Sequence, residues 1–184
     1  MRKLSAFSFI TLNGFTHRSD GDISWHRHGE EENSHASESL KPGNVLLFGR
    51  VTYEMMASYW PTPMAVENDP LVAAGMNSAM KIVFSTTMKS AGWENTRIIS
   101  SDLVEAVKVM KNQPGPDMTI LGSGSILSQL AGHGLIDEYQ IMVDPVAIGS
   151  GVPLFKGIGQ NLELELTGVK SFKSGVVMLG YKPR

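Results

Sequence analysis

Met118-Thr-Ile-Leu-Gly-Ser-Gly-Ser-Ile-Leu-Ser-Gln-Leu130 is the stretch from which the rest of the chain can be read. A short apolar and β-branched run stops at Gly122-Ser123-Gly124-Ser125, and an apolar helical pattern starts directly behind it. A helix N-terminus presents backbone N–H groups with no partner in their own helix and a partial positive charge, and glycines in front of it let an anion approach the backbone closely. A diphosphate is the natural guest of such a turn.

Two further strand ends carry the same kind of chemistry. Asn44-Val-Leu-Leu-Phe48 reads as a buried strand that ends in Gly49-Arg50-Val51-Thr52, ahead of a helix over Val51–Trp60. There the glycine is followed by a fixed cation whose planar fork can donate two parallel bonds to a phosphate, and Thr52 has a hydroxyl able to cap the helix. Lys81-Ile-Val-Phe84 ends in three hydroxyls, Ser85-Thr86-Thr87. Open α/β sheets bind ligands beyond the carboxyl ends of their strands, so three such ends suit one long ligand with several phosphates, such as a dinucleotide.

Outward from these runs the chain alternates strand and helix. Lys3 to Thr11 reads as a first strand closed by the turn pair Asn13-Gly14, and Ser19-Asp20-Gly21-Asp22 is a second turn. Glu30 to Leu40 reads as a helix, with Glu30, Glu31 and Glu32 where the macrodipole favours acids. Asp69-Pro70 opens a helix to about Ala79 with aspartate as N-cap, Thr96-Arg-Ile-Ile99 is a short strand, and Asp102 caps a further helix. Ile136 to Val143 is a strand apolar enough for a core or an interface, and Leu162–Phe172 with Gly175–Tyr181 reads as a terminal hairpin. The alternation implies an α/β fold with a mostly parallel central sheet and a C-terminal antiparallel edge, in one domain spanning 1–184.

Composition narrows the function. With 184 residues and a net charge of −2, the chain has one core's worth of material and no basic field for nucleic acid or an anionic membrane. The absence of cysteine excludes disulfides, cysteine zinc sites and a thiol nucleophile. No apolar stretch approaches the roughly 20 residues that span a bilayer, and the N-terminal run alternates as a strand would rather than as a signal peptide. A cytoplasmic location is expected. His26, His28 and His35 share a polar stretch with the three glutamates, but spacing of this kind favours a solvated surface over a metal site. Trp60 is expected in the core, Trp25 equally in the core or on a ligand ring, and the 11 methionines mostly as core filler.

Five motifs in order resemble one known group. They are Ser8-Phe-Ile-Thr-Leu-Asn-Gly14, Leu47-Phe-Gly-Arg-Val-Thr-Tyr-Glu54, Ile82-Val-Phe-Ser-Thr-Thr87, Gly122-Ser-Gly-Ser125, and Gly134-Leu-Ile-Asp-Glu138 leading to Pro145-Val-Ala-Ile-Gly-Ser-Gly-Val-Pro-Leu-Phe155. Together they resemble the dihydrofolate reductase-like superfamily, in the branch similar to the C-terminal reductase domain of bifunctional riboflavin-biosynthesis proteins. The resemblance implies a three-layer α/β/α fold and an NADPH-dependent reductase of a small heterocycle, similar to 5-amino-6-(5-phosphoribosylamino)uracil reductase. A pteridine or dihydrofolate reductase, and a pyridine-nucleotide-binding protein without turnover, are the alternatives.

Carried over, Gly49, Arg50 and Thr52 would grip phosphates, with Arg50 near the adenosine 2′-phosphate. Ser85 and Thr86 would line the adenosine end, and Gly122, Ser123, Gly124, Ser125 and Ile126 would wrap the diphosphate. Thr11, Asn13 and Gly14 would sit beside the nicotinamide. The branch usually has aspartate where this chain has Asn13, the residue taken here as catalytic although an amide cannot act as a base. The acid that dihydrofolate reductases carry on their first helix has Glu30, Glu31, Glu32 and Glu38 as candidates, and Arg18, Arg27 and Lys41 are candidate partners for a substrate phosphate. Members of the branch are often homodimers.

Overall fold

Alternation along the first strand sets the layers. In β1 (Leu4–Thr11), Leu4, Ala6 and Ile10 face one side of the sheet and Phe7 and Phe9 the other. The computed structural model describes the backbone of 1–184 except residues 28 and 40–42, and the side chains of these residues except 36–39. After β1 come β2 (Phe15–His17), α1 (Glu30–Ser39), β3 (Val45–Gly49), α2 (Arg50–Tyr59), α3 (Pro63–Asn68), α4 (Pro70–Ser78) and β4 (Met80–Phe84). Then follow β5 (Thr96–Ile99), α5 (Leu103–Asn112), β6 (Met118–Leu121), α6 (Gly124–Gly132), β7 (Glu138–Asp144), β8 (Val152–Pro153), β9 (Leu164–Ser171) and β10 (Val177–Pro183).

Eight strands form one sheet in the order β5-β4-β3-β6-β1-β7-β10-β9, parallel from β5 to β7 and antiparallel through the last hairpin; β2 and β8 pair separately. The parallel strands therefore end on one edge. On β3, Val45 and Leu47 pack toward Val107 of α5 and Leu127 and Leu130 of α6. Leu46 and Phe48 pack the opposite way, against Tyr53 of α2 and Val72 and Met76 of α4. A strand covered on both faces has no polar side to show, which is why Val45–Phe48 is continuously apolar. Burying each such side chain contributes roughly 1.5–3 kcal/mol.

Helix α6 shows how local sequence sets an element. Ile126, Leu127, Leu130 and Ala131 are buried at helical spacing. Its end is a Schellman motif: Gly134 at φ 64 donates N–H to Ala131 O, and Leu135 N–H reaches Leu130 O. The chain then enters β7, which lies between β1 and β10, so the Ile136–Val143 run belongs to the core.

Several local expectations need correction. Thr52 does not cap α2: Gly49 is the N-cap and no side chain bonds there, because the helix starts two residues earlier than Thr52. Asp69 precedes Pro70 as the N-cap of α4, yet its carboxylate accepts from Asn33 Nδ2 at 2.5 Å rather than from the helix. Helix α3, opened by Thr62 and Pro63, and the small β2–β8 pair have no sequence-level counterpart above. Asp102 does cap α5, accepting from Glu105 N–H at 2.9 Å. No helix among the described residues is long and apolar enough to cross a membrane.

Candidate functional site

The ends of β3, β4 and β6 border one cleft of about 410 Å³. Gly49, Arg50 and Thr52 line it from the β3 end, Ser85 and Thr86 from the β4 end, and Ser123, Ser125 and Ile126 from the β6 end. The parallel sheet brings these residues together, since β3 is hydrogen-bonded to both β4 and β6. Ser101, beyond β5, and Gln129 of α6 also line the cleft and carried no sequence signal, because only the strand order places them there.

The β6 turn is held in an unusual conformation. Gly122 (φ 57) and Ser123 (φ 51) are both left-handed, a rare state for serine. A Cβ on Gly122 would be strained at this φ and would meet Thr52 Cγ2 at 3.4 Å. Ser123 is the N-cap of α6, but its hydroxyl leaves the helix and accepts from Gly49 N–H at 2.9 Å, tying the β6 turn to the β3 turn. In the first turn of α6 the Ile126 N–H is taken by Ser123 O at 2.9 Å, while the Gly124 and Ser125 N–H groups have no acceptor within their own helix, so the turn is suited to an anion. A Cβ on Gly124 would lie in ordinary contact with Leu154 O, at 3.7 Å.

Arg50 is the first residue of α2, and its Nη1 donates to Glu54 Oε2 at 2.7 Å, one turn on. Ser85 Oγ closes its own loop by accepting from Thr87 and Met88 N–H at 3.2 and 3.0 Å. A second surface groove, of about 640 Å³, lies between β5 and α5. It is a poorer anion site, because the Asp102 carboxylate already occupies the α5 N-terminus.

Thr11, Asn13 and Gly14 are not brought to the cleft. Asn13 Oδ1 accepts from Thr11 Oγ1 at 2.8 Å and from Ile148 N–H at 3.2 Å, while its Nδ2 donates to Ile148 O at 2.8 Å. Thr11 Oγ1 also accepts from Phe15 N–H, and Gly14 O accepts from Leu154 N–H. The amide of Asn13 thus pins the first turn to the loop after β7, which leaves one of its N–H donors for anything else.

A polar cluster that sequence reasoning missed lies next to this turn. Asp144 ends β7 opposite Thr11 in register and is 0% exposed. The Nδ1–H of His26 donates to Asp144 Oδ2 at 2.8 Å, and Arg27 N–H donates to Oδ1 at 2.9 Å. The His26 ring stacks on Phe9, 3.8 Å between centroids and 8° from parallel. The available signal was an acid closing an apolar parallel strand. Trp25 is buried edge-on to Phe9, and its Nε1–H has no hydrogen-bond partner among the described residues. Trp60 packs with the α2–α4 cluster and donates to Met56 Sδ.

Of the first-helix acids, Glu32 is buried and accepts from Ser174 Oγ, whereas Glu31 pairs with Lys173 at the surface and its carboxyl is held low by bonds from that residue's backbone and side chain. Arg18 pairs with Asp22, and Arg27 reaches Ser174 O. Lys41, Leu40 and His28 lie outside the described residues, as does the side chain of Glu38. Among the described residues no three histidines or acids gather as a metal site.

Comparison with known proteins places the chain. It is 28% identical over 173 residues to the Bacillus subtilis protein YyaP, covering 94% of this chain and 90% of that one, and 27% identical to YwjB of the same organism over 95% of each. Its fold matches that of a putative riboflavin biosynthesis protein from Shewanella, with a TM-score of 0.75, 20% identity and 99% of both chains covered. It also matches a Thermotoga maritima diaminohydroxyphosphoribosylaminopyrimidine deaminase/5-amino-6-(5-phosphoribosylamino)uracil reductase, with a TM-score of 0.70 and 15% identity, over all of this chain and 57% of that one. These neighbours share the dihydrofolate reductase-like fold expected from the motifs. The model of the RibD C-terminal domain matches residues 2–178, and the chain therefore belongs to the RibD C-terminal domain family.

Proposed function

We propose that the chain is a reductase that takes hydride from a reduced pyridine nucleotide, NADPH being the donor the family resemblance implies. The acceptor is a small heterocycle of ribosylaminopyrimidine or pterin type. One observation carries this reading: the left-handed Gly122-Ser123 turn feeds the α6 N-terminus into a cleft shared with the β3 and β4 ends. Backbone N–H groups at such a turn seat a diphosphate without a dedicated cation. Thr52, Ser85 and Thr86 line the same cleft, and their hydroxyls would bond the remaining sugar and phosphate oxygens. The nicotinamide, when bound, supplies the hydride; the protein orients it and excludes water. At the β1 end the exposed Asn13 side chain bonds Thr11 and Ile148 and so holds the first turn to the loop after β7.

A second reading, nucleotide binding without turnover, draws on the same bonds, because the Asn13 amide is engaged with the loop and supplies no acid or base at the β1 end. Calorimetric titration with NADPH, on wild type and Ser125→Asp, tests the site. An acid in the first turn of α6 suits the macrodipole, so the variant should melt at or above the wild-type temperature. It should bind NADPH at least about 30-fold more weakly, since like charges brought together cost several kcal/mol. No binding by wild type, or equal binding by the variant, would sink the proposal. Binding with no oxidation of NADPH by ribosylaminouracil phosphate or dihydropterin substrates would select the second reading.

A further inference from the structure

Among the described residues the cleft is lined by one charged residue, Arg50, and this has a consequence for which nucleotide it prefers. Around Arg50 the polar lining, among the described residues, consists of hydroxyls and the Gln129 amide. Such groups bond a ribose 2′-hydroxyl about as readily as a 2′-phosphate, because each can donate or accept. A 2′-phosphate adds up to two negative charges and three acceptor oxygens. Discrimination between the two nucleotides therefore falls on Arg50.

Arg50 does not meet a ligand as an isolated cation. Its Nη1 is held by Glu54 Oε2 at 2.7 Å, with the two side chains 45% and 51% exposed. The ligand senses a nearly neutral pair: one Nη1 donor is engaged by Glu54, and the Nε and Nη2 donors that remain would bind phosphate with the guanidinium charge already offset. The pair has little value to the helix itself. Arg50 puts a positive charge at the positive end of the α2 dipole, and an arginine preceding a glutamate by four residues is the less favourable order. A site function explains the arrangement better than helix stability does.

We infer that Glu54 is a specificity-determining residue: by neutralising Arg50 it holds down the preference for 2′-phosphorylated nucleotide, so that the chain takes NADH and NADPH forms with similar affinity. Glu54 acts through Arg50 and is a positioning residue. The inference rests on the cleft being a pyridine-nucleotide site, as proposed above.

The test is calorimetry with NADP⁺ and NAD⁺ on wild type, Glu54→Gln and Arg50→Ala. Wild type should bind the two within about tenfold of each other, a gap no larger than one exposed ion pair supplies. Glu54→Gln keeps the side chain's length and removes its charge. It should tighten NADP⁺ by about fivefold with NAD⁺ unchanged, and added salt should erode that gain. Arg50→Ala should bring the ratio toward one. A wild-type preference for NADP⁺ beyond about 100-fold, or a Glu54→Gln ratio equal to that of wild type, would overturn the inference while leaving the nucleotide site standing. Failure of wild type to bind either nucleotide would remove both. A purely structural role for Glu54 would shift both nucleotides together, and that too counts against it.

Discussion

Replacing Lys81 by methionine is expected to cost about 3 kcal/mol of folding stability and to lower Tm by about 9 °C. Lys81 lies in β4 with 0% exposure, and its Nζ donates to Met76 O, Asn77 O and Ala79 O at 2.8, 3.1 and 2.8 Å. These carbonyls belong to the C-terminal end of α4, whose last turn has no basic residue of its own, so the next strand provides the cation. The ammonium also sits 4.3 Å from the centre of the Trp93 ring. Methionine retains the length and apolar body and removes only the charge and its donors. Two effects then compete: relief of a desolvated charge, and burial of carbonyls without partners. The second should win, because Asn95 Nδ2 remains as a donor to only one of the three, Asn77 O, at 3.3 Å. Urea unfolding decides it, and a variant as stable as wild type would mean that desolvation of the ammonium cancels its bonds.

The same residue gives a signed pH dependence. Burial pushes the Lys81 ammonium down to about 8, with the Glu94 carboxylate opposing. In the unfolded chain it titrates near 10.5. Between these values the unfolded state binds more protons than the folded state, so this group makes stability rise with pH from about 8 to 10.5 and adds no slope below. Wild type should gain on Lys81→Met across that window. A constant gap between their unfolding midpoints would contradict the assignment.

Asp144→Ala is expected to cost about 3 kcal/mol, the scale for breaking a buried polar pair from one side. It would remove the carboxylate that bonds both the His26 imidazole, whose side chain is 5% exposed, and the Arg27 N–H. The stack of His26 on Phe9 would then lack its tether to β7, and the stretch from Asp20 to Arg27 should loosen. Asp144→Asn separates geometry from charge. Its Oδ1 can still accept from Arg27, and its Nδ2 can donate to Nδ1 of a neutral His26, so it should lose less than about 1.5 kcal/mol. Hydrogen exchange at the Arg27 amide reads the tether directly: fast in Asp144→Ala, protected in Asp144→Asn. Protection in both would show that the aromatic stack alone holds this segment.

The cleft residues were legible in sequence to different depths. Gly122-Ser123-Gly124-Ser125 was readable because strand, glycine turn and helix follow one another within thirteen residues, and local signals suffice. The setting of Asn13 was not legible, because a turn amide looks the same in sequence whether or not it bonds, as here, Ile148 O, 135 residues away. Glu32 could not be picked out from Glu30 and Glu31, since helical spacing alone does not say which side Ser174 will cover. Nothing in the run Lys81–Phe84 signals that Lys81 is buried; the end of α4 and the Trp93 ring cover it in the fold.

By itself the sequence determined what depends on near neighbours. The period-2 run of β1, the continuous apolar run of β3, the helical spacing and Schellman end of α6, and the Asp102 cap all arise from residues within a few positions of each other. From these follow the α/β class and the three strand ends rich in glycine and hydroxyls. Tertiary structure decided the rest: the order β5-β4-β3-β6-β1-β7-β10-β9, the bond from Gly49 N–H to Ser123 Oγ, and the Asp144–His26 pair. The last two join residues 74 and 118 positions apart. Parallel pairing needs a crossover between partners, so strand neighbours are chosen by how whole layers pack rather than by adjacent sequence. That packing turns three separate turns into one cleft.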